Sequence, residues 1–273
     1  QDAFSHKQIR EETAQLALDA FVRFRKVADD HGAERIRAVA TSAMREASNS
    51  DMLCDRIHRA TGIEIETISG EEEARLIHLA VSSAVPLKNK RAMLIDIGGG
   101  SVEVTLSQGG NILSTESYNM GTVRLLEKLR DKPAKLPFDE LVREYAESAR
   151  YRIEREVKKK KIDLCIGTGG NIEEMGELRK KLFKRDSDSA ITFEELEKLS
   201  KILSQMTVEE RRRKFKLRPD RADVILPAVI VLKMIVKAAR INEVRIPKVG
   251  LKDGILLDLA QSLSAAPRPS RRQ

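Results

Sequence analysis

Tryptophan is absent and aromatic residues are scarce: seven phenylalanines and three tyrosines among 273 residues. The core must therefore be aliphatic, and a nucleic-acid surface built on stacked rings is a poor fit. Only two cysteines occur, Cys54 and Cys165, which argues against a disulfide framework and fits a reducing, cytoplasmic setting. No run reaches the roughly 18 apolar residues of a membrane span. The best candidate, residues 224–236, is too short and ends in charge. The opening QDAFSHKQIREE is polar and unlike a secretory leader. Its first residue, Gln rather than Met, is read as the mark of a fragment or a processed chain. His6, His31, His58 and His78 show no metal-ligand spacing with either cysteine, which argues against a zinc site. No Gly-x-Ser-x-Gly elbow supports serine-hydrolase chemistry.

What is present is a chain that is 41% hydrophobic and 34% charged, the composition of a soluble globule. At roughly 150 residues per domain the length suggests about two domains. The formal net charge of +8 is unevenly spread. Residues 1–100 carry 14 Lys/Arg against 16 Asp/Glu, and residues 101–273 carry 36 against 26. The excess gathers at 158–161, 179–185 and 211–218, a field that attracts polyanions. Nucleic acid, a polyphosphate chain or no partner beyond solvent would each satisfy such a field.

Apolar spacing predicts a helix over 5–31, a strand over 36–40, a polar loop over 41–46, and a helix over 50–61 with Asn49 or Ser50 as its cap. A strand over 64–68 leads to Ser69 and Glu72, the spacing of a capping box, and a helix to about residue 84. Three successive strands follow, at 93–97, 102–106 and 112–118, joined by Gly-rich turns. A helix over 138–160, a strand over 162–166, helices over 193–205 and 220–239, a strand over 244–246 and a last helix over 254–263 complete the reading. Strands alternating with helices, with an antiparallel hairpin in the middle, indicate an α/β fold with a mixed sheet in each of two lobes. Residues 1–88 form the first lobe, joined by the C-terminal helix 254–263. Residues 89–253 form the second, and 264–273 a disordered tail.

Two glycine-rich turns carry the chemistry. The first is Asp96-Ile97-Gly98-Gly99-Gly100-Ser101-Val102-Glu103. Glycines let backbone N–H groups approach a phosphate closely, as a hairpin turn alone would not require. Asp96 and Glu103 flank the turn, and carboxylates there repel a phosphate unless a cation such as Mg²⁺ (or Mn²⁺) lies between. The second is Gly167-Thr168-Gly169-Gly170-Asn171, between a strand and a helix whose first amides can meet an anion. It is neither a dinucleotide fingerprint nor a Walker loop. In Ser69-Gly70-Glu71-Glu72-Glu73-Ala74-Arg75, acids of a first helical turn complement the helix dipole, and one of them is a candidate general base. Arg45, at the carboxyl end of a strand, is a candidate phosphate clamp or a salt-bridge partner.

The stretches AVATSAMREASN, ISGEEEARLI, LIDIGGGSVEV, MGTVRL, IGTGGN, RPDRADVILPAVIVL and VGLKDGILLDL, in this order, resemble the exopolyphosphatase / guanosine pentaphosphate phosphohydrolase (Ppx/GppA phosphatase) family from about Phe4 to Leu259. The resemblance implies the two-lobed actin-like ATPase (ribonuclease H-like) fold, with a phosphate cleft between the lobes. It implies Glu73 as the base that activates water, Arg45 at the cleft, and Asp96 and Glu103 around Mg²⁺. Gly98, Gly99, Gly100 and Ser101 match one phosphate loop, Gly169 and Gly170 another. The substrates implied are inorganic polyphosphate and guanosine pentaphosphate or tetraphosphate, and a homodimer is implied as well. No membrane is called for, and no nucleic acid as the main partner.

Two departures stand out. The family's opening Asp-x-Gly-Ser-Asn-Ser loop has no counterpart, so the first lobe reads as truncated. The helical domain of the His-Asp type that longer members append is also without counterpart. Besides a hydrolase, the same residues fit a catalytically weak polyphosphate or (p)ppGpp-binding module. A sugar or acid kinase of this fold would need an adenosine pocket, for which no signature is found.

Overall fold

The computed structural model describes residues 2–129, 138–159 and 161–265. The N-terminal part holds α1 (Asp2–His6), α2 (Glu11–Asp30), β1 (Ala38–Ala40), α3 (Ser42–Glu46), α4 (Ser50–Thr61), β2 (Ile65–Thr67) and α5 (Gly70–Ala84). There follow β3 (Arg91–Ile97), β4 (Val102–Gln108), β5 (Asn111–Tyr118), α6 (Thr122–Leu129), α7 (Phe138–Tyr145) and α8 (Glu147–Lys159). Beyond these lie β6 (Leu164–Thr168), α9 (Gly170–Phe183), β7 (Ala190–Thr192), α10 (Phe193–Ser204), α11 (Val208–Phe215), α12 (Pro219–Ala222), α13 (Ile225–Ala238), β8 (Glu243–Arg245) and α14 (Leu251–Ala265).

Six strands form one sheet in the order β5-β4-β3-β6-β8-β7. It is mixed: β3 runs antiparallel to β4 and parallel to β6. The β1–β2 pair forms a second sheet that is parallel, with two strands among the described residues, where a mixed sheet was expected.

Side chains of the large sheet sort by alternation. Met93, Ile95 and Ile97 of β3 and Val102, Val104 and Leu106 of β4 join the main core around α13. Ala92 and Leu94 of β3 and Leu164 and Ile166 of β6 face the other way, onto Ile77 and Val81 of α5 and Val85 just after it. The apolar run 224–236 is thus explained: α13 is buried nearly all round, as a helix hydrophobic on every side must be. No helix among the described residues is long and apolar enough to cross a membrane. Cys54 and Cys165 are both free.

Several expected elements differ. The helix expected over 5–31 is interrupted after His6: Lys7 takes φ +53°, and the Asn49 side chain bonds the Ile9 amide and carbonyl instead of capping α4. Residues 42–46 form a helical turn, not a loop. The helix over 138–160 breaks at Ala146, and that over 220–239 divides into α12 and α13. Helix α11 and strand β7 were not foreseen, although Thr192/Glu195 and Thr207/Glu210 form capping boxes ahead of α10 and α11. Ser264 and Ala265, expected in a disordered tail, continue α14; the remainder of that tail lies outside the described residues.

Helix α5 packs on the large sheet through one face and on α14 through another. Asp258 of α14 accepts from Arg37 and Arg75. At the crossing Gly254 leaves no room, since a Cβ there would sit 2.0 Å from the Leu76 carbonyl oxygen. Gly254→Ala is therefore expected to force the helices apart at a cost of about 1–3 kcal/mol. A thermal melt should fall by several degrees, and an unchanged melt would show that the crossing has slack.

Candidate active site

The register of the large sheet builds the site. Asp96 of β3 lies directly across from Glu103 of β4, Ser117 of β5 across from Glu103, and Thr168 of β6 across from Asp96. Alternation sends this row toward α5 rather than into the main core. The Ser117 hydroxyl donates to Glu103 Oε1 at 2.8 Å, and the Thr168 hydroxyl to Asp96 Oδ1 at 2.6 Å. Each carboxylate is thereby aimed by the neighbouring strand.

Helix α5 brings the third carboxylate. Glu73, Ile77 and Val81 recur at four-residue spacing, so they share one helix face, and Ile77 and Val81 pack on the sheet. Ser69 caps the helix by accepting from the Glu72 amide at 3.1 Å, while the Glu72 side chain pairs with Arg75, leaving half of the expected capping box. Gly70 allows the close approach: a Cβ there would meet Ser117 at 2.9 Å. The result is that one oxygen from each of Glu73, Asp96 and Glu103 lies within 4.8 Å of the others.

Three carboxylates held so close and so dry resist ionisation. Burial pushes Glu103 up to about 7, and the nearby Glu73 and Asp96 charges add to the rise while Ser101 and Ser117 oppose it. Burial likewise raises Asp96, against the Thr168 hydrogen bond, and raises Glu73, against Arg45. Oε2 of Glu103 is buried without a hydrogen-bond partner, a state that calls for an explanation in a native protein. All-oxygen donors of this kind suit a hard divalent cation such as Mg²⁺ or Mn²⁺.

Arg45 stands beside Glu73. Its Nη1 donates to the Ile68 carbonyl at 2.6 Å and to Glu73 Oε2 at 3.3 Å. Of the two roles open to it from sequence, it takes the salt bridge in this structure.

Both glycine turns border the carboxylate row. In the first, the carbonyls of Gly98, Gly99 and Gly100 accept from the amides of Thr122, Val123, Arg124 and Gly121 at the start of α6. The N–H groups of Gly99 and Gly100 have no partner among the described residues. Gly100 is pressed by the N-terminal helices, since a Cβ there would meet Ser42 Oγ at 2.2 Å and the Phe4 ring at 2.4 Å. Arg124, buried, locks the turn: Nε donates to the Gly100 carbonyl at 2.7 Å, Nη1 donates to Glu46 at 2.9 Å, and the guanidinium stacks on Phe4 at 4.5 Å. In the second turn Gly169 takes φ +90° and lies against Asp96 Oδ1, 3.0 Å from where its Cβ would be; α9 begins one residue later.

Thr168, Ser117, Arg124 and Glu46 were not singled out from sequence. Thr168 stood inside the second glycine motif and Arg124 inside MGTVRL, but hydroxyl and guanidinium roles depend on strand register and burial. The basic clusters also change meaning. Arg211 is buried, donating to the Leu203 and Ala222 carbonyls. Arg213 pairs with Glu209, Arg218 with Asp220, and Arg179 and Arg185 with Glu195. Of the 158–161 run, residue 160 lies outside the described residues. A surface cavity of about 480 Å³ between α8 and α13, lined by Glu154, Lys161, Lys237 and Arg240, contains none of the carboxylate row.

A mixed sheet flanked by helices, with a row of carboxylates set between two glycine turns, defines the class of α/β protein to which the chain is compared. The chain belongs to the Ppx/GppA phosphatase family, which it matches over residues 3–263. It is 27% identical over 259 residues to a guanosine-5'-triphosphate,3'-diphosphate pyrophosphatase of Vibrio vulnificus, covering 94% of this chain and 51% of that protein. It is 26% identical over 264 residues to exopolyphosphatase 1 of Mycobacterium tuberculosis, covering 93% and 75%. The chain thus spans about half the length of the pyrophosphatases it matches. An exopolyphosphatase crystal structure from Cytophaga hutchinsonii superposes with a TM-score of 0.87 at 26% identity, covering 95% of this chain and 85% of that one. An Aquifex aeolicus family member shares the fold, with a TM-score of 0.76 at 23% identity over 97% and 87%.

Proposed function

We propose that this chain hydrolyses phosphoanhydrides, releasing the terminal phosphate of inorganic polyphosphate or the 5′ γ-phosphate of guanosine pentaphosphate. The observation that carries the reading is the meeting of Glu73, Asp96 and Glu103 within 4.8 Å, beside two glycine turns. Membership of the Ppx/GppA phosphatase family and the names of the relatives support it.

Each group has a task. Amides of the turns at Gly98-Gly99-Gly100-Ser101 and Gly169-Gly170 bind phosphate oxygens. Asp96 and Glu103 hold Mg²⁺ or Mn²⁺, which when bound neutralises charge on the phosphate oxygens. Glu73 accepts the proton of a water whose oxygen bonds to phosphorus, while the bridging P–O bond breaks and its electron pair leaves with the shortened chain. Burial raises the Glu73 carboxyl toward the basicity that such a proton acceptor needs. Arg45, already bonded to Glu73, orients that carboxylate and offers its other nitrogens to the phosphate.

The test is phosphate release from long-chain polyphosphate and from guanosine pentaphosphate. Release should stop in EDTA and return with Mg²⁺ or Mn²⁺. Undiminished release in EDTA would remove the cation from the scheme, and no release from either substrate with either ion would sink the reading.

A further inference from the structure

A trans peptide unit is a rigid plane, so a carbonyl held in one direction sends the next residue's N–H the opposite way. In the first glycine turn the carbonyls of Gly98, Gly99 and Gly100 are all held toward the start of α6. Gly98 accepts from the Thr122 amide at 3.1 Å, and Gly99 from the amides of Val123 and Arg124 at 2.9 and 3.1 Å. The N–H groups of Gly99, Gly100 and Ser101 therefore point away from α6 together. None of the three has a partner among the described residues.

The Gly100–Ser101 peptide is held differently from the other two. Its carbonyl receives a backbone bond of 3.2 Å from Gly121 and a shorter one, 2.7 Å, from Arg124 Nε. Backbone bonds form whatever side chains stand there, whereas the Nε bond needs arginine. The same peptide carries the Ser101 N–H, and Ser101 is one of the groups that oppose the rise of Glu103.

Arg124 is in turn held from the N-terminal part of the chain. Glu46, at the end of α3, accepts from both of its terminal nitrogens, and Phe4 of α1 stacks on the guanidinium. The pairing holds the Glu46 carboxyl below its ordinary range. Arg124 is only 6% exposed, and a charge so buried is tolerated only while it is paired. Deprived of Glu46, the guanidinium would turn to water and let go of the Gly100 carbonyl.

Resting on the proposed hydrolase reading, we propose that Arg124 is a positioning residue for phosphate release. Clasped by Glu46 and Phe4, it fixes the Gly100–Ser101 peptide and so aims the Ser101 N–H at the phosphate that water attacks. Its fork is taken up by Gly100 and Glu46, so it acts through the turn and touches no substrate. Helices α1 and α3 thereby set the geometry of a turn that lies far from them in sequence. A misaimed amide costs the transition state more than it costs the bound polyphosphate, which the second turn and the cation also hold.

The experiment is steady-state phosphate release from long-chain polyphosphate in Mg²⁺, with kcat and KM separated and a thermal melt of each variant. Arg124→Lys keeps the charge beside Glu46 but has no fork with which to reach Gly100 as well. It should lower kcat about tenfold, the effect of one charge-assisted hydrogen bond, with KM changed by less than about threefold. Glu46→Gln keeps the shape and an acceptor, and should lower kcat by a smaller factor, again with little change in KM. An unchanged kcat in both variants would overturn the inference. So would a loss that only tracks the unfolded fraction, which marks a structural role, or a loss carried by KM, which marks a direct grip on substrate. If the parent chain releases no phosphate, the hydrolase reading falls and the inference with it; an active parent matched by both variants sinks the inference alone.

Discussion

Replacing Glu73 by Gln is expected to lower phosphate release by roughly a thousandfold, the middle of the range for a general acid–base group. The side chain keeps its shape and can still accept from Arg45, but it no longer takes a proton from water. Loss of activity through unfolding is separable from this. The Glu73 charge is one of those that hold Glu103 near 7, so removing it relieves repulsion, and the variant should melt no lower than the parent. Binding of Mg²⁺ should persist through Asp96 and Glu103, since those two residues are the proposed ligands. Activity within a few-fold of the parent would take the role of base away from Glu73.

The second large effect is on stability and runs against the usual direction of mutation. Glu103 titrates near 7 in the fold and near 4.5 when exposed. Below 4.5 both states are protonated and the group contributes nothing to the pH dependence. Between 4.5 and about 7 the unfolded chain releases a proton that the folded chain retains, so stability falls as pH rises. Above 7 the full cost of burying the charge is present, at most about 3 kcal/mol from that shift. Glu103→Gln has no such cost. In EDTA at pH 8 it should melt about 5 °C above the parent, and the two should converge at pH 4. Adding Mg²⁺ should raise the parent's melting temperature more than the variant's, since a cation offsets the charge that Gln lacks. A variant that melts below the parent at pH 8 would show that the carboxylate row is not under electrostatic stress.

These two residues also show how far the sequence could be read. That Asp96 and Glu103 flank a tri-glycine turn is local information. A hairpin that turns through Gly98-Gly99-Gly100-Ser101 places the residues on either side in register, and Asp96 does pair with Glu103 across it. The spacing of Glu73, Ile77 and Val81 is local too, and it states that the acid shares a face with apolar residues seeking a core. The break after His6, the helical turn at 42–46 and the division at Ala146 were not legible in the same way. Each depends on a contact between distant segments, as with Asn49 and the Ile9 backbone, or on packing that propensity does not report.

By itself, then, the sequence determined the alternation of strands and helices, the two glycine turns, and the acids placed beside them, because backbone freedom and side-chain periodicity act within a few residues. Tertiary structure alone decided that α5 lies across the sheet face bearing Asp96 and Glu103, that Ser117 and Thr168 aim those carboxylates, and that Arg45 pairs with Glu73 and Arg124 with Glu46 while Arg221 faces Gly170. The physical reason is that a carboxylate's basicity, an arginine's partner and a cation's cage are set by burial and by neighbours tens of residues away, and those are fixed only when the sheet and its helices close on one another.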